Sequence, residues 1–334
     1  MFKSNIKIAL FVGGSSPERE VSKSSGKAIY KAIKSLGYSC CLIDPAYGTS
    51  QPSEEERFFS KEDFAEIKNE NLVKTIYSDL LDNIDLVFLA LHGKWGEDGI
   101  IQSLLELKGI RYTGSGVFPS AVSMNKDISK ILFQKNGVNT ANWFTTDKNF
   151  DINDLKATIQ TRFGFPCVVK PNDQGSTVGL TIAKTADVLE ENVNLALKYS
   201  DVVLIEEFIP GREMTVAILD DSPLPVLEII PKSGFYDYES KYTSGKSEYI
   251  VPADIPSNVF GKLQQQALAA FKSLRCKTYG RVDFRLNENN IPFCLEVNTL
   301  PGMTETSLVP KMAKAVGISF EELIDRIIRN SLDD

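Results

Sequence analysis

Residues 6–12 form a short, mainly apolar run that stops at Gly13-Gly14, and a helix-period stretch begins a few residues later. A strand that is apolar at successive positions has both faces covered, as in a parallel sheet flanked by helices. The stretch that follows carries Val21, Ala28, Ile29, Ala32, Ile33 and Leu36 on one helical face, with Gly37 as its stop. Residues 39–43 and 86–91 repeat the strand pattern, and Ile100, Ile101, Leu104 and Leu105 mark a helix ending near Gly109. Strand and helix alternate, so the first hundred residues predict a doubly wound α/β domain. Such sheets bind ligands at the carboxyl ends of their strands. The polar clusters after Val12 and Leu91 fall there, the second containing His92, the only histidine of the chain.

The 334 residues exceed one such unit. The spacing predicts three: an N-terminal α/β domain over 1–114, a smaller α+β domain over 115–207, and a third over 208–334. A linker is expected at 113–119, then one helix over about 120–135 ended by Asn136-Gly137. Further strands are expected near 203–208, 214–219, 225–231, 279–286 and 291–297. A last helix should start at Ser319, with Glu322 completing a capping box. The net charge of −7 argues against nucleic-acid or membrane-surface binding, which favour basic patches. No stretch approaches a membrane span or a signal-peptide core, so the expected location is the cytoplasm. Cys40, Cys41, Cys167, Cys276 and Cys294 are odd in number and contain no CxxC pair; they read as buried free thiols.

Chemistry concentrates in a few segments. Gly-Arg-Val-Asp-Phe and Cys-Leu-Glu-Val-Asn-Thr flank Asn-Glu-Asn-Asn, which suits a hairpin turn. Residues two apart on a strand share a face, so Glu296 and Asn298 point together and pairing can bring Asp283 beside them. Three oxygen donors on one face suit Mg²⁺; on residues alone, polar positions facing solvent are an equal alternative. Arg281 shares that face and could neutralise a phosphate or an oxyanion. Lys170 precedes the small-residue turn Pro-Asn-Asp-Gln-Gly-Ser-Thr-Val-Gly, where backbone N–H groups can approach an anion, although the GK[ST] ending of a Walker A loop is absent. Lys126 and Lys241 are further cations, and Glu206 and Glu213 are carboxylates suited to ribose hydroxyls or to solvent. Residues 235–249 are too polar for a core and too aromatic for an idle linker; a lid and an Ω-loop both fit.

Taken together, these segments resemble the D-alanine–D-alanine ligases of the ATP-grasp superfamily. The resemblance runs along nearly the whole chain. It is carried by Gly-Gly-Ser-Ser-Pro-Glu-Arg-Glu-Val-Ser at 13–22, Leu-His-Gly-Lys-Trp-Gly-Glu-Asp-Gly at 91–99 and Tyr-Thr-Gly-Ser-Gly at 112–116. Gly-Ser-Thr-Val-Gly at 175–179, Phe-Tyr-Asp-Tyr-Glu-Ser-Lys-Tyr at 235–242 and Glu-Val-Asn-Thr-Leu-Pro-Gly-Met-Thr-Glu-Thr-Ser-Leu at 296–308 complete it. It implies a three-domain ATP-grasp fold with ATP between the central and C-terminal domains. Two D-alanines would be joined through an acyl phosphate, for peptidoglycan precursor synthesis.

Residue by residue, the resemblance implies that Lys126, Lys170 and Lys241 contact ATP phosphates and that Glu206, Glu207, Phe208 and Ile209 border the adenine. Glu213 would hold the ribose, and Asp283, Glu296 and Asn298 would hold two Mg²⁺ (or Mn²⁺) ions. Glu18 would pair with the first D-alanine's ammonium beside His92, and Ser307 and the Leu308 N–H with the second one's carboxylate. Arg281 and the Gly302 N–H would stabilise the tetrahedral oxyanion. Glu18, Ser176 and Tyr242 resemble a hydrogen-bonded triad, the tyrosine favouring an amine over a hydroxyl nucleophile. Asn125, Gln174 and Thr177 stand where many relatives carry aspartate, glutamate and serine. Relatives are commonly homodimers, so a second copy is the expected partner. The nearest alternatives are D-alanyl-D-lactate or D-alanyl-D-serine formation on the same architecture. A Rossmann oxidoreductase lacks its G-x-G-x-x-G, and a non-catalytic nucleotide sensor would not need the metal trio.

Overall fold

The computed structural model describes residues 3–232 and 245–333. Its first sheet is parallel, in the order β2-β1-β3-β4. The strands are β1 (Lys7–Phe11), β2 (Ser39–Ile43), β3 (Leu86–Leu89) and β4 (Arg111–Tyr112). β1 and β3 lie in the middle and are buried from Ile8 and Leu86 onward, which is why both read as apolar runs. β2 is an edge strand. That position corrects one expectation: Cys41 is exposed and Cys40 half-buried, while Cys167, Cys276 and Cys294 are buried and all five thiols are free. An edge strand keeps one flank open to water whatever its composition.

The second sheet is antiparallel, in the order β5-β8-β6-β7. It consists of β5 (Trp143–Asp147), β6 (Cys167–Pro171), β7 (Thr181–Ala183) and β8 (Val202–Glu207). Helices α6 (Ile152–Arg162) and α7 (Leu189–Ala196) close its core through Leu155, Ile159, Leu189 and Val193. β8 pairs with β5 and β6.

The third sheet runs β12-β11-β9-β13-β14, with the short β10 (Ser222–Pro223) beside β9. Its long strands are β9 (Arg212–Leu219), β11 (Leu227–Pro231), β12 (Ser247–Ile250), β13 (Tyr279–Leu286) and β14 (Pro292–Asn298). Strand alternation divides its residues between two sides. Val216, Ile218, Val282 and Phe284 pack on α8 (Ser257–Ser273), whereas Ala217, Leu219 and Tyr279 join the core of the first sheet.

Helices α1 (Arg19–Ser35), α2 (Asn71–Ile76) and α3 (Ile100–Lys108) belong to the N-terminal region. The last two helices are α9 (Leu308–Lys314) and α10 (Phe320–Asp333). Leu323, Ile324, Ile327 and Ile328 are fully buried in the first sheet's core, so the C-terminal helix returns to the N-terminal domain. Burying each such side chain stabilises by roughly 1.5–3 kcal/mol, enough to hold the two ends of the chain together. Ser319 Oγ accepts the Glu322 N–H at 3.1 Å, the forward half of the expected capping box, while the Glu322 carboxylate turns to Arg326.

The single helix expected over 120–135 is two, α4 (Val117–Met124) and α5 (Lys126–Lys135), and the expected linker already contains the first turn of α4. Asn125 makes the break. Its backbone is extended and its side-chain oxygen accepts the Ile128 N–H at 3.1 Å, the bond of a helix N-cap.

Candidate functional site

The loop after β1 is shaped by Gly13 and Gly14, both at positive φ. A Cβ on Gly13 would lie 2.2 Å from an Asp44 carboxylate oxygen, so only glycine lets that buried carboxylate reach the turn. Asp44 accepts the Gly14 N–H and pairs with Arg19 at 2.6 Å; Arg19 also bonds the Gly14 carbonyl. The clamp sets the start of α1 and puts Glu18 at its N-terminus, where the helix dipole favours a carboxylate. Ser16 ties this turn to the next strand: its hydroxyl donates to the His92 carbonyl at 2.6 Å and accepts the Glu18 N–H at 3.2 Å. The Ser176 hydroxyl donates to the Glu18 carboxylate from the glycine-rich turn after β6. That turn holds Ser176 and Thr177 at φ of 51° and 64°, a conformation costly for a β-branched residue and typical of functional loops.

The loop after β3 supplies His92 and Glu97. Burial holds the His92 ring at a pKa of about 4, against a backbone hydrogen bond to Leu300 that favours its charged form. It is therefore neutral at pH 7. Glu97, which sequence reasoning passed over, accepts the Gly93 N–H at 2.6 Å. Burial first, and then the Glu18 charge, push its carboxyl well above the usual range. The available signal was its place in Gly-Glu-Asp-Gly, in the same carboxyl-end loop as His92.

The hairpin of β13 and β14 forms as expected. Asp283 stands opposite Glu296 and Arg281 opposite Asn298, so all four share one face. Arg281 grips Asp283 through two bonds, of 2.9 and 2.8 Å, and Thr215 donates to the same carboxylate at 2.7 Å. Glu296 lies 3.2 Å from the Lys126 ammonium, and Asn298 accepts the Leu300 N–H at 3.1 Å. Among the described residues no three of His, Cys, Asp and Glu cluster as a metal site; the candidate set here is two carboxylates and an amide. Those are hard oxygen donors, and both carboxylates draw a cationic partner in a sheltered position, so the set fits a divalent cation of the Mg²⁺ kind.

Two adjoining cavities gather every described candidate. One, of about 470 Å³, is lined by Glu18, His92, Arg281, Asn298, Gly302, Ser307 and Leu308. The other, of about 280 Å³, is lined by Lys170, Glu206, Glu207, Phe208, Ile209, Glu213 and Asp283. Lys126, Ser176 and Glu296 line both and so mark the junction. Lys241 and Tyr242 lie outside the described residues.

Under the second cavity is a buried charge cluster. Glu206 bonds Lys170 at 2.6 Å and Lys130 at 2.9 Å, and Lys130 also donates to Thr140 at 2.7 Å. Burial alone would raise the Glu206 carboxyl, but the two ammonium groups outweigh it and hold it at about 2. Lys130 is fully buried, a position a lysine occupies only when paired. Glu213 meets Arg285 at 3.6 Å on the cavity rim.

Residues 7–115 match the family described as "D-ala D-ala ligase N-terminus" and residues 132–329 the one described as "D-ala D-ala ligase C-terminus". A D-alanine--D-alanine ligase from Syntrophotalea carbinolica is 41% identical over 322 residues, 96% of this chain and 95% of its own length. One from Halalkalibacterium halodurans is 43% identical over 98% of this chain and 99% of its own. Among solved structures, the D-alanine--D-alanine ligase from Bacillus anthracis complexed with ATP superimposes with a TM-score of 0.78 at 32% identity, covering 98% of each chain. The VanG D-Ala:D-Ser ligase from Enterococcus faecalis gives 0.82 at 29% identity, covering 98% of this chain and 99% of its own. With its two cavities joined at Lys126, Ser176 and Glu296, the chain has the ATP-grasp fold and belongs to the D-alanine–D-alanine ligase family.

Proposed function

We propose that the chain joins two D-alanines into D-alanyl-D-alanine at the expense of ATP, forming ADP and phosphate. The observation that carries the reading is the shared wall of the two cavities, where lysine and carboxylate groups converge between the slot lined by Glu206 to Ile209 and the chamber lined by Glu18, Ser307 and Leu308. The smaller cavity takes ATP: Glu206–Ile209 border the base, Glu213 the ribose, and Lys126 and Lys170 the phosphates. In the larger one Glu18, held by Ser176, takes the first D-alanine's ammonium, and its carboxylate faces the junction beside His92. Attack on the γ-phosphorus sets anion against anion, and Lys126 lowers that repulsion. Asp283, Glu296 and Asn298 would hold Mg²⁺ or Mn²⁺, which when bound would neutralise phosphate charge and polarise the transferred group. Ser307 and the Leu308 N–H orient the second D-alanine by its carboxylate. Its amine then adds to the acyl phosphate, and Arg281 and the Gly302 N–H stabilise the oxyanion until phosphate leaves.

In this reading the chain divides at about residues 114 and 207, with the nucleotide between the second and third units. It acts as a cytoplasmic homodimer in making a peptidoglycan precursor; no helix among the described residues is long and apolar enough to cross a membrane. The test is phosphate release from ATP with D-alanine, L-alanine or no amino acid, with mass analysis of the product. Release that depends on D-alanine and yields the dipeptide is expected. Magnesium-replete protein that consumes no ATP with D-alanine refutes the reading. Adding D-lactate or D-serine as the second substrate distinguishes the depsipeptide and D-alanyl-D-serine alternatives.

A further inference from the structure

Gly302 sits in the stretch Leu300-Pro301-Gly302-Met303 of the loop between β14 and α9. Its N–H finds no acceptor among the described residues, while the residues on either side of it are buried. A donor that must meet a developing oxyanion needs its loop fixed in advance, because a preorganised dipole costs no reorganisation as charge appears. The turn has no regular structure to fix it. Beyond the bond from the Leu300 N–H to Asn298, its restraint comes from the N-terminal domain.

Ser25, on α1, is only 1% exposed. Its hydroxyl lies 3.2 Å from His92 Nε2 and 3.2 Å from the Met303 backbone nitrogen. Ser25 Oγ accepts the Met303 N–H and shares a hydrogen bond with His92 Nε2. The Met303 end of this stretch is therefore held by Ser25, which is itself hydrogen-bonded to His92.

We infer that Ser25 and His92 are a positioning pair that staples the Gly302 loop, His92 serving the ligation step by holding Ser25, and through it the oxyanion donor, in place. Ser25 reaches across 278 positions of sequence to Met303, so the first and last segments of the site are locked by a single hydroxyl. The staple serves the second half-reaction, where the tetrahedral oxyanion forms. Acyl-phosphate formation depends on the lysine and carboxylate groups at the junction and does not need it.

The inference rests on the ligase reading, whose own failure would appear as absent D-alanine-dependent phosphate release in the unaltered protein. Its test separates the two half-reactions in Ser25→Ala. Scrambling of bridging ¹⁸O within ATP reports acyl-phosphate formation, and dipeptide release reports the whole sequence. Loss of one anchoring bond displaces the turn, and the dipeptide kcat should fall on the order of 10-fold. Scrambling and the KM for ATP should stay within about two-fold, since only a second-step interaction is lost. His92→Ala, which removes the partner of Ser25, should also lower the dipeptide kcat, and the double variant should be no slower than the slower single one. A full ligation rate in Ser25→Ala, parallel loss of scrambling and ligation, or losses that multiply in the double variant would each overturn the inference.

Discussion

His92 is the chain's only histidine and its ring is almost completely buried, so acidification offers a sharp test of how the site is built. In the unfolded chain its pKa returns to 6.5, whereas in the folded protein burial lowers it to about 4. Between those values the unfolded state binds a proton that the folded state refuses, and stability therefore rises with pH. The contribution is complete above pH 6.5 and is lost as pH falls towards 4. A drop of that size corresponds to about 3 kcal/mol, at about 1.4 kcal/mol per unit. Glu97 works with the opposite sign. Its raised carboxyl stabilises the fold fully below the unfolded pKa, and that share is lost as pH rises through the folded value. The two contributions separate in a comparison of unaltered protein with His92→Gln, where only the imidazole is removed. Urea unfolding of both at pH 7 and pH 4 should show the unaltered protein losing about 3 kcal/mol more than the variant over that interval. Equal losses would mean that the ring takes up its proton in the folded state at an ordinary pH. The neutral, stapled histidine would then be wrong.

Three other outcomes follow from the geometry. Gly93→Ala should raise the KM for D-alanine about 10-fold or more, because its Cβ would lie 2.5 Å from a Glu18 carboxylate oxygen, at a φ of +68°, and a charge-assisted bond is worth about 1.5–3 kcal/mol. Initial rates at saturating ATP measure it, and an unchanged KM would remove Glu18 from the substrate site. Lys130→Met should lower stability by about 3–5 kcal/mol, the effect of breaking a buried ion pair, reduced to the extent that Lys170 still holds Glu206. Chemical unfolding and ATP titration would show it, with ATP binding weakened at the same time. Glu296→Gln should nearly abolish turnover and weaken Mn²⁺ binding, read independently by the paramagnetic signal of the ion; full binding in that variant would refute the metal assignment.

What could be read in the sequence is what local chemistry decides. β1 and β3 announce themselves because strands covered on both faces must be apolar throughout, and Gly13-Gly14 ends the first because Asp44 leaves no room for a Cβ. The β13–β14 hairpin was legible for the same reason: a polar turn between two strands sets the register, and the register puts Arg281, Asp283, Glu296 and Asn298 on one face. The break at Asn125 was written in a residue type that caps helices better than it continues them, although the apolar spacing on either side ran on as if unbroken.

Lys130 and Ser25, which sequence reasoning passed over, act through partners distant in the chain. Lys130 looks like any surface lysine of an amphipathic helix until Glu206, 76 positions later, gives it a reason to be buried. Ser25 looks like one of several small polar residues on α1 until Met303 arrives beside it. The return of α10 to the first sheet brings the segment after β14 to α1, where Ser25 meets Met303. That packing joins the N-terminal domain to the segment following β14, and the Gly302 turn lies between them. A turn held by side chains from the opposite end of the chain keeps its geometry only while both ends are docked. Loosening the α10 seam, as by Ile324→Ala, should therefore lower ligation before it lowers ATP binding, although Ile324 is buried in the core and lines neither cavity.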